Sequence, residues 1–156
     1  MREIADAAQL DRATLYRHFR TRERLIAEIQ RAGLAEVAAI LERLPTRGDV
    51  IPAICEALGD GIALGSRYRV VALAPRTEQD LFLDEAATAM PLLAALERGK
   101  RRGEVDPQID SFFAAALFAY TALAAINLVE RTGAPLEATI ADAQAAYRKV
   151  IAAGGR

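Results

Sequence analysis

Hydrophobic residues recur at helical spacing along most of this chain, and the pattern is clearest near its beginning. Ile4 and Ala8 are four residues apart, as are Leu15 and Phe19, so each pair shares one face of a short helix. Asp11 stands between the two pairs, where its carboxylate suits the N-cap of the second helix. The pattern predicts a helix, a three-residue turn and a second helix over residues 12–19.

Capping residues and prolines divide the rest of the chain into further helices. Thr21 is a good N-cap for a long helix, and Gly133 stops a later helix before Pro135 begins the last one. Residues 68–74 have a strand-like composition, but nothing else in the chain could pair with them, so we expect a helix there too. Pro91 is expected to kink or split the helix that contains it. The predicted helices span residues 21–44, 49–66 (beginning at Asp49), 68–74, 77–102, 110–131 and 135 onward.

The overall pattern is that of an all-α protein with two parts. No segment alternates with a period of two residues, and the chain contains no internal repeat and no low-complexity linker. The length of 156 residues and the hydrophobic fraction of 53% allow a sizeable core without disulfides or metals. Residues 1–43 are predicted to form a helix-turn-helix head with a connecting helix, and residues 44–156 a helical body.

Basic side chains are concentrated on the predicted second helix and just after it. Residues 12–24 contain five arginines, the only histidine and a single acid, Glu23. Residues 1–31 carry seven arginines and five acids, a net charge of +2, whereas the whole chain has a net charge of −1. A short helix with a polar, positively charged outer face is suited to the major groove of DNA. We call the apolar side of the two helices the seam; on the second helix it contains Leu15 and Phe19. A helical wheel places Ala13 and Arg17 directly opposite this seam, with Thr14 and Tyr16 beside them.

Residues 2 to about 30 resemble the DNA-binding segment of TetR/AcrR-type bacterial transcription regulators. The resemblance rests on REIADAA, on RATLYRHF after the turn and on TRERLIAEI at the start of the next helix. Beyond these residues it is only architectural. It implies that the second helix reads the major groove and that the start of the next helix contacts a phosphate. It also implies a C-terminal helical domain that binds a small effector and dimerises.

The resemblance implies roles for five residues, and their chemistry suits those roles. Arg17 is expected to donate to a guanine edge, since its guanidinium can bridge O6 and N7. Thr14 would meet a phosphate or a thymine methyl, and Arg22 a phosphate at the N-terminus of its helix. Tyr16 and His18 are either backbone-phosphate donors or packing residues at the side of the helix pair. The DNA-binding candidates are thus Ala13, Thr14, Tyr16, Arg17, His18 and Arg22.

Two features depart from the usual pattern of that family. The turn reads Gln9-Leu10-Asp11 where the family usually has Gly-Val-Ser, and Gln9 replaces a glycine that often adopts positive φ. If Gln9 keeps that conformation, the cost is about 1 kcal/mol. The chain also begins directly on the first helix of the motif, whereas the family has a further helix before it. We expect that the true start lies upstream, that this helix was lost, or that the protein does without it.

The helix predicted over residues 110–131 is apolar nearly all round, so it has to be covered on more than one side. It is either the central core helix or a helix covered by a second copy of the chain. The family resemblance favours the second copy, because the last two helices of each subunit pair in that family. On this interpretation the dimer interface contains Phe118, Ile126, Ile140 and Tyr147.

The resemblance also implies an effector cavity within the body. Aromatic, methionine and amide side chains suit such a cavity, although at helical spacing they are more often plain core. Asn127 is the strongest candidate, because an amide inside an apolar helix needs a hydrogen-bonding partner. The full set of candidates is Tyr68, Phe82, Met90, Phe113, Tyr120 and Asn127.

Other chemistry finds little support in the sequence. The single cysteine, Cys55, excludes an internal disulfide and suits a reducing cytoplasm. One histidine and one cysteine do not make an ordinary zinc site, and Gly59, Gly61 and Gly65 lack the spacing of a phosphate-binding loop. We see no catalytic constellation, no cofactor site and no signal peptide. Residues 112–129 are expected to form a buried helix rather than a membrane span.

Two hypotheses about function follow. The first is a non-enzymatic homodimer that binds a palindromic operator in double-stranded DNA, as a repressor released by a small-molecule effector. The second is a ligand-binding or interaction dimer whose head no longer binds DNA. The charged outer face of the second helix favours the first hypothesis.

Overall fold

A computed structural model confirms the all-α fold. It describes residues 2–9, 11–68 and 78–154, and of residues 2, 3, 7, 12 and 78–87 it describes the backbone alone. Within these residues the chain forms seven helices in the following order: α1 (Arg2–Ala7), α2 (Arg12–His18), α3 (Arg22–Glu42), α4 (Val50–Arg67), α5 (Glu78–Arg101), α6 (Ser111–Thr132) and α7 (Leu136–Ile151).

Most of the predicted helix boundaries are confirmed to within a few residues. Gly133 ends α6 in the left-handed conformation, with a φ of 69°, as its position after the last apolar residues predicts. Pro91 does not split its helix, because α5 continues without interruption on both sides of it. The helix predicted over residues 68–74 falls outside the described residues, apart from Tyr68 at the C-cap of α4.

The body is built around α4, which packs against α3, α5, α6 and α7. Its apolar side supplies Ile54, Leu58 and Ile62, each of which is completely buried. The last turn of α3 enters the same core through Ile40 and Leu41. The helix that carries the head is therefore anchored in the body at its far end.

Tyr147 of α7 is the largest fully buried side chain in this core. Its ring packs edge-on against Phe118 of α6, with ring centroids 5.7 Å apart. Its hydroxyl donates to the carbonyl of Ala114 at 2.8 Å. Burial, together with the nearby Cys55, raises the pKa of Tyr147, so the phenol remains a neutral hydrogen-bond donor.

Glycines allow α4 to approach its neighbours closely at two positions. A Cβ atom at Gly59 would lie 2.5 Å from the Gln144 amide nitrogen, and one at Gly65 would lie 2.2 Å from Ile126 Cδ1. At Gly61 the same atom would have no neighbour within 4 Å. Close helix packing therefore requires a glycine at Gly59 and at Gly65 but not at Gly61.

The start of α4 is capped by a residue from a distant part of the chain. Asp49 occupies the N-cap position, but its side chain makes no capping hydrogen bond. The Val50 N–H donates instead to Glu104 Oε2 at 2.6 Å, and Glu104 Oε1 lies 2.9 Å from Arg102 Nε. The backbone carbonyl of Glu104 also accepts from the Ala153 N–H at 2.8 Å. One residue thus connects the start of α4, the end of α5 and the C-terminal segment.

We expect Glu104→Ala to lower the free energy of unfolding by about 1–2 kcal/mol, because the Val50 N–H loses its acceptor and Arg102 loses one of its two carboxylate neighbours. Asp49→Ala is the matched control at the same helix end and should change stability by less than about 0.5 kcal/mol. Urea denaturation followed by circular dichroism measures both values. Equal losses for the two variants would show that Glu104 is not the cap.

Candidate nucleic-acid interface

One small or aliphatic residue is buried in each of the three helices of the head. Ala5 of α1, Leu15 of α2 and Leu25 of α3 have exposed fractions of 0%, 4% and 8%. Ala8, which the sequence pattern placed on the seam, is exposed, because α1 has ended before it and the chain has turned away. Ala5 takes its place. Two other predicted seam residues are half-buried, Ile4 and Phe19.

Side-chain caps fix the starts of α2 and α3. Asp11 accepts from the Thr14 N–H and Thr21 accepts from the Arg24 N–H, each at 3.2 Å, which confirms both predicted N-caps. Gln9, in the turn before α2, has a φ of 55°. This is the left-handed conformation that glycine tolerates without strain, and a side chain there costs about 1 kcal/mol.

The outer side of α2 is exposed to solvent. Arg17 lies on the side opposite the buried Leu15 and is exposed, and Tyr16 keeps 49% of its surface accessible. Thr14 is half-buried, so of the six DNA-binding candidates it offers the least surface. Five candidates are exposed, namely Ala13, Tyr16, Arg17, His18 and Arg22. The fold therefore brings the predicted residues to one accessible end of the molecule.

Positive charge dominates the segment between α2 and the first turn of α3. Arg20, Arg22 and Arg24 are all exposed beside one acid, Glu23. Hydrogen bonds from its own backbone N–H and from the Thr21 hydroxyl lower the pKa of Glu23, and Arg22 adds to this effect. The ionised carboxylate thus already occupies the N-terminal end of α3. A phosphate at this position would be bound chiefly by arginine side chains.

Metal binding and thiol chemistry find no support among the residues that the structure describes. No group of three or more His, Cys, Asp or Glu side chains suited to a metal ion occurs among them. Cys55 is buried, with Sγ 3.8 Å from the Gln144 carbonyl, and burial raises the pKa of its thiol. A buried thiol with a raised pKa is a poor nucleophile.

The predicted effector residues do not line an enclosed cavity in the described part of the chain. Met90, Phe113 and Tyr120 have exposed fractions of 61%, 61% and 71%. Side chains that lie this far out at the surface of one chain do not line a closed pocket. The Phe82 side chain lies outside the described residues.

The two polar effector candidates have partners that the sequence did not indicate. Tyr68 is half-buried, and its hydroxyl donates to Glu36 of α3 at 2.6 Å. Asn127 is exposed, and its amide donates to the Leu123 carbonyl of its own helix at 3.2 Å. Asn127 therefore needs no partner within a cavity, which corrects the reason for choosing it.

Three of the four predicted dimer-interface residues are core residues of the single chain. Phe118, Ile126 and Tyr147 have exposed fractions of 6%, 4% and 1%, and the half-buried Ile140 packs against the same core. A side chain that is buried within one chain has no surface left for a partner. The assignment is therefore wrong for Phe118, Ile126 and Tyr147.

The exposed side of α6 carries a stripe of side chains, apolar except for Asn127, that the sequence pattern did not separate from the core. Its members follow a spacing of three, four, three and four residues, which repeats on one helix face every seven residues. By length and composition α6 could also cross a membrane, yet one side of it packs on α4, α5 and α7. We call this stripe the outer face of α6, and it consists of Phe113, Ala116, Tyr120, Leu123 and Asn127.

Comparisons with known proteins find similarity both for the head and for the whole fold. Residues 1–29 match the sequence model of bacterial regulatory proteins of the tetR family. The whole fold resembles a putative tetR family transcription regulator from Shewanella sp. PV-4, with a TM-score of 0.60, 15% identity and coverage of 96% of this chain and 85% of that one. The match to the tetR family model covers the head, and the likeness of the whole chain to the solved structure is one of fold.

Two further solved structures share the TetR fold of this protein. A protein with unknown function from Rhodococcus sp. RHA1 has a TM-score of 0.68, 18% identity and coverage of 97% of this chain and 84% of that one. A TetR family transcriptional regulator from Chloroflexus aurantiacus J-10-FL has a TM-score of 0.54, 18% identity and coverage of 94% and 76%. A search of the curated proteins finds no match.

Proposed function

We propose that this protein is a regulator of the TetR family, a cytoplasmic homodimeric repressor that binds a palindromic operator and leaves it when a small-molecule effector binds the body. The observation that carries the proposal is the exposed face of α2. Arg17 stands on that face opposite the buried Leu15, while exposed arginines follow at the start of α3. This is the arrangement of a helix that enters the major groove with phosphate contacts at its flank.

The two kinds of DNA contact fall on different residues. Arg17 reads a base pair, because its planar guanidinium can donate two parallel hydrogen bonds to guanine. Arg22, at the start of α3, binds the backbone and positions the head, and exposed Tyr16 and His18 add backbone contacts from the sides of α2. Ala13 contributes a small surface that lets α2 approach the bases closely.

The outer face of α6 supports the proposed dimerisation. Phe113 and Tyr120 expose most of their surface, and Leu123 exposes 36% of its own. Apolar stripes of this size on a water-soluble surface usually mark an interface. A heptad spacing suits a second helix of the same kind, related by a two-fold axis. Two heads related in this way read a palindrome, whereas one short helix specifies few base pairs.

Tyr120→Asp should convert the dimer into a monomer, because a charge on the outer face of α6 would lose its hydration in the interface. The mass measured by light scattering should fall from about twice to about once the 16.8 kDa of the chain. Tyr16→Asp, a matched change at an exposed tyrosine of the head, should leave the mass unchanged. A folded Tyr120→Asp variant that keeps the mass of the parent would contradict this interface.

The effector acts through α3, which carries the head at one end and enters the core of the body at the other. A ligand changes DNA affinity only if it binds one arrangement of α3 more tightly than another. The effector site is proposed to lie in the body, where Tyr68 already connects the end of α4 to α3.

Selection of random duplex DNA by the purified protein at moderate salt, followed by sequencing of the bound pool, tests the proposal. Enrichment of a palindrome is the expected result, and it would provide the operator sequence. No enrichment by a protein with a cooperative unfolding transition would contradict sequence-specific binding. It would favour the second hypothesis, a ligand-binding or interaction dimer.

A further inference from the structure

Two polar contacts join α3 to α4 at both ends of a shallow groove. At one end the Tyr68 hydroxyl donates to Glu36 Oε1 at 2.6 Å. At the other end Arg43 Nη2 lies 4.0 Å from Asp60 Oδ2. The pairing 36 with 68 and 43 with 60 shows that the two helices run antiparallel. We call these two contacts the upper rung, Glu36–Tyr68, and the lower rung, Arg43–Asp60.

Apolar side chains line the groove between the two rungs. Ile40 of α3 and Leu64 of α4 are buried in the groove, with exposed fractions of 9% and 7%, and two alanines, Ala39 and Ala63, line it beside them. Apolar packing of this kind holds two helices together but sets their crossing angle only loosely when the side chains are small. Directed contacts at the two ends of the groove restrict that angle.

The angle matters because α3 is a long lever. From Ile40, in the core, to Arg22, at the DNA end, the helix spans about 27 Å at a rise of about 1.5 Å per residue. A tilt of about 10° moves the head by about 5 Å, more than the spacing of about 3.4 Å between successive base pairs. In a two-fold dimer the two heads move in opposite senses, so a small tilt changes the distance between the half-sites that they reach.

We propose that the upper and lower rungs set the tilt of α3 on the body and so determine the half-site spacing that the dimer prefers. This inference rests on the proposed function as a dimeric operator-binding protein. It assigns a specificity-determining role to four residues that do not contact DNA, namely Glu36, Arg43, Asp60 and Tyr68.

The chemistry of the upper rung suits a persistent contact. The hydrogen bond to Glu36, and then the charge of Glu36, raise the pKa of Tyr68, so its hydroxyl stays a donor to an ionised acceptor. The lower rung is an exposed ion pair, and such pairs add little to global stability. The rungs therefore bias the angle between two helices that apolar packing already holds together.

The test uses the palindrome selected by the parent protein and versions of it with the half-sites moved by one or two base pairs. Fluorescence anisotropy provides the ratio of Kd values between the best and the shifted spacing. Tyr68→Phe and Arg43→Asp should each reduce that ratio by about threefold. The reason is that a head on a less restricted α3 reaches the shifted half-sites more easily. Adding Asp60→Arg to Arg43→Asp reverses the lower rung and should restore the ratio.

Glu42→Gln removes an exposed charge from the last turn of the same helix and is the matched control. It should leave the spacing ratio at the parent value, and thermal unfolding should show all variants folded. An unchanged ratio in Tyr68→Phe and Arg43→Asp would overturn the inference while leaving the proposed function intact. Failure of the parent to select any palindrome would overturn the proposed function and this inference with it.

Discussion

Replacing Arg17 by alanine is expected to lower the affinity for the selected operator by about 1–3 kcal/mol, roughly 5- to 150-fold. The reason is that a guanidinium on the exposed side of α2, opposite the buried Leu15, is placed to donate to one base edge. The same change should relax specificity at a single position of each half-site. Repeating the DNA selection with the variant measures both effects.

Arg22→Ala provides the contrasting control, because this residue is proposed to bind the backbone rather than a base. Its loss should weaken binding to all duplexes alike and reduce the slope of log K against log salt by about 0.9 per subunit. If Arg17→Ala also weakens all duplexes alike, Arg17 is a phosphate contact. If Arg17→Ala binds the operator as tightly as the parent does, its assignment to base reading is wrong.

Gly99→Ala is expected to destabilise the fold by about 1–3 kcal/mol, because its new methyl group has no room. A Cβ atom there would lie 2.5 Å from Val105 Cγ2 and 3.3 Å from both Val105 Cβ and Val50 Cγ1. Val105 is fully buried and β-branched, so its side chain cannot rotate away. Relieving the overlap requires movement of the segment after α5, whose N–H groups at Glu104 and Val105 donate to the Gly99 carbonyl.

Gly61→Ala is the same substitution in α4 at a position with open space, and it should stabilise the protein by about 0.5–1 kcal/mol. Thermal unfolding should therefore separate the two variants by several degrees, since 1 kcal/mol corresponds to roughly 2–4 °C for a domain of this size. A Gly99→Ala variant as stable as Gly61→Ala would mean that the loop after α5 adapts freely and that this packing is not tight.

Features of the head that depend on neighbouring residues were predictable from the sequence. Asp11 and Thr21 each accept from the N–H three residues ahead, as their type and position indicate. Gln9 takes the positive φ expected at its place in the turn. Leu15 and Arg17 are two positions apart and therefore 200° apart around the helix, so burial of the apolar Leu15 leaves Arg17 exposed.

Features that depend on distant residues were not predictable in the same way. The cap of α4 is Glu104, which follows it by 54 positions, whereas the local candidate Asp49 makes no capping bond. Likewise, Gly59 and Gly61 look alike in sequence, yet only Gly59 faces a packed neighbour. The capping residue and the space around a glycine depend on which helix packs alongside, and the local sequence does not indicate which helix that is.

The outer face of α6 is the most consequential example. Phe113 and Tyr120 were assigned to an interior pocket and Phe118 and Ile126 to the dimer interface, whereas the structure exposes the first pair and buries the second pair in the core of the chain. Local periodicity determined that this segment is a helix, where it begins and ends, and that the head has a charged outer face. Which of two equally apolar sides of α6 turns inward was decided only by tertiary packing, because a helix that is apolar all round has no polar side to orient it.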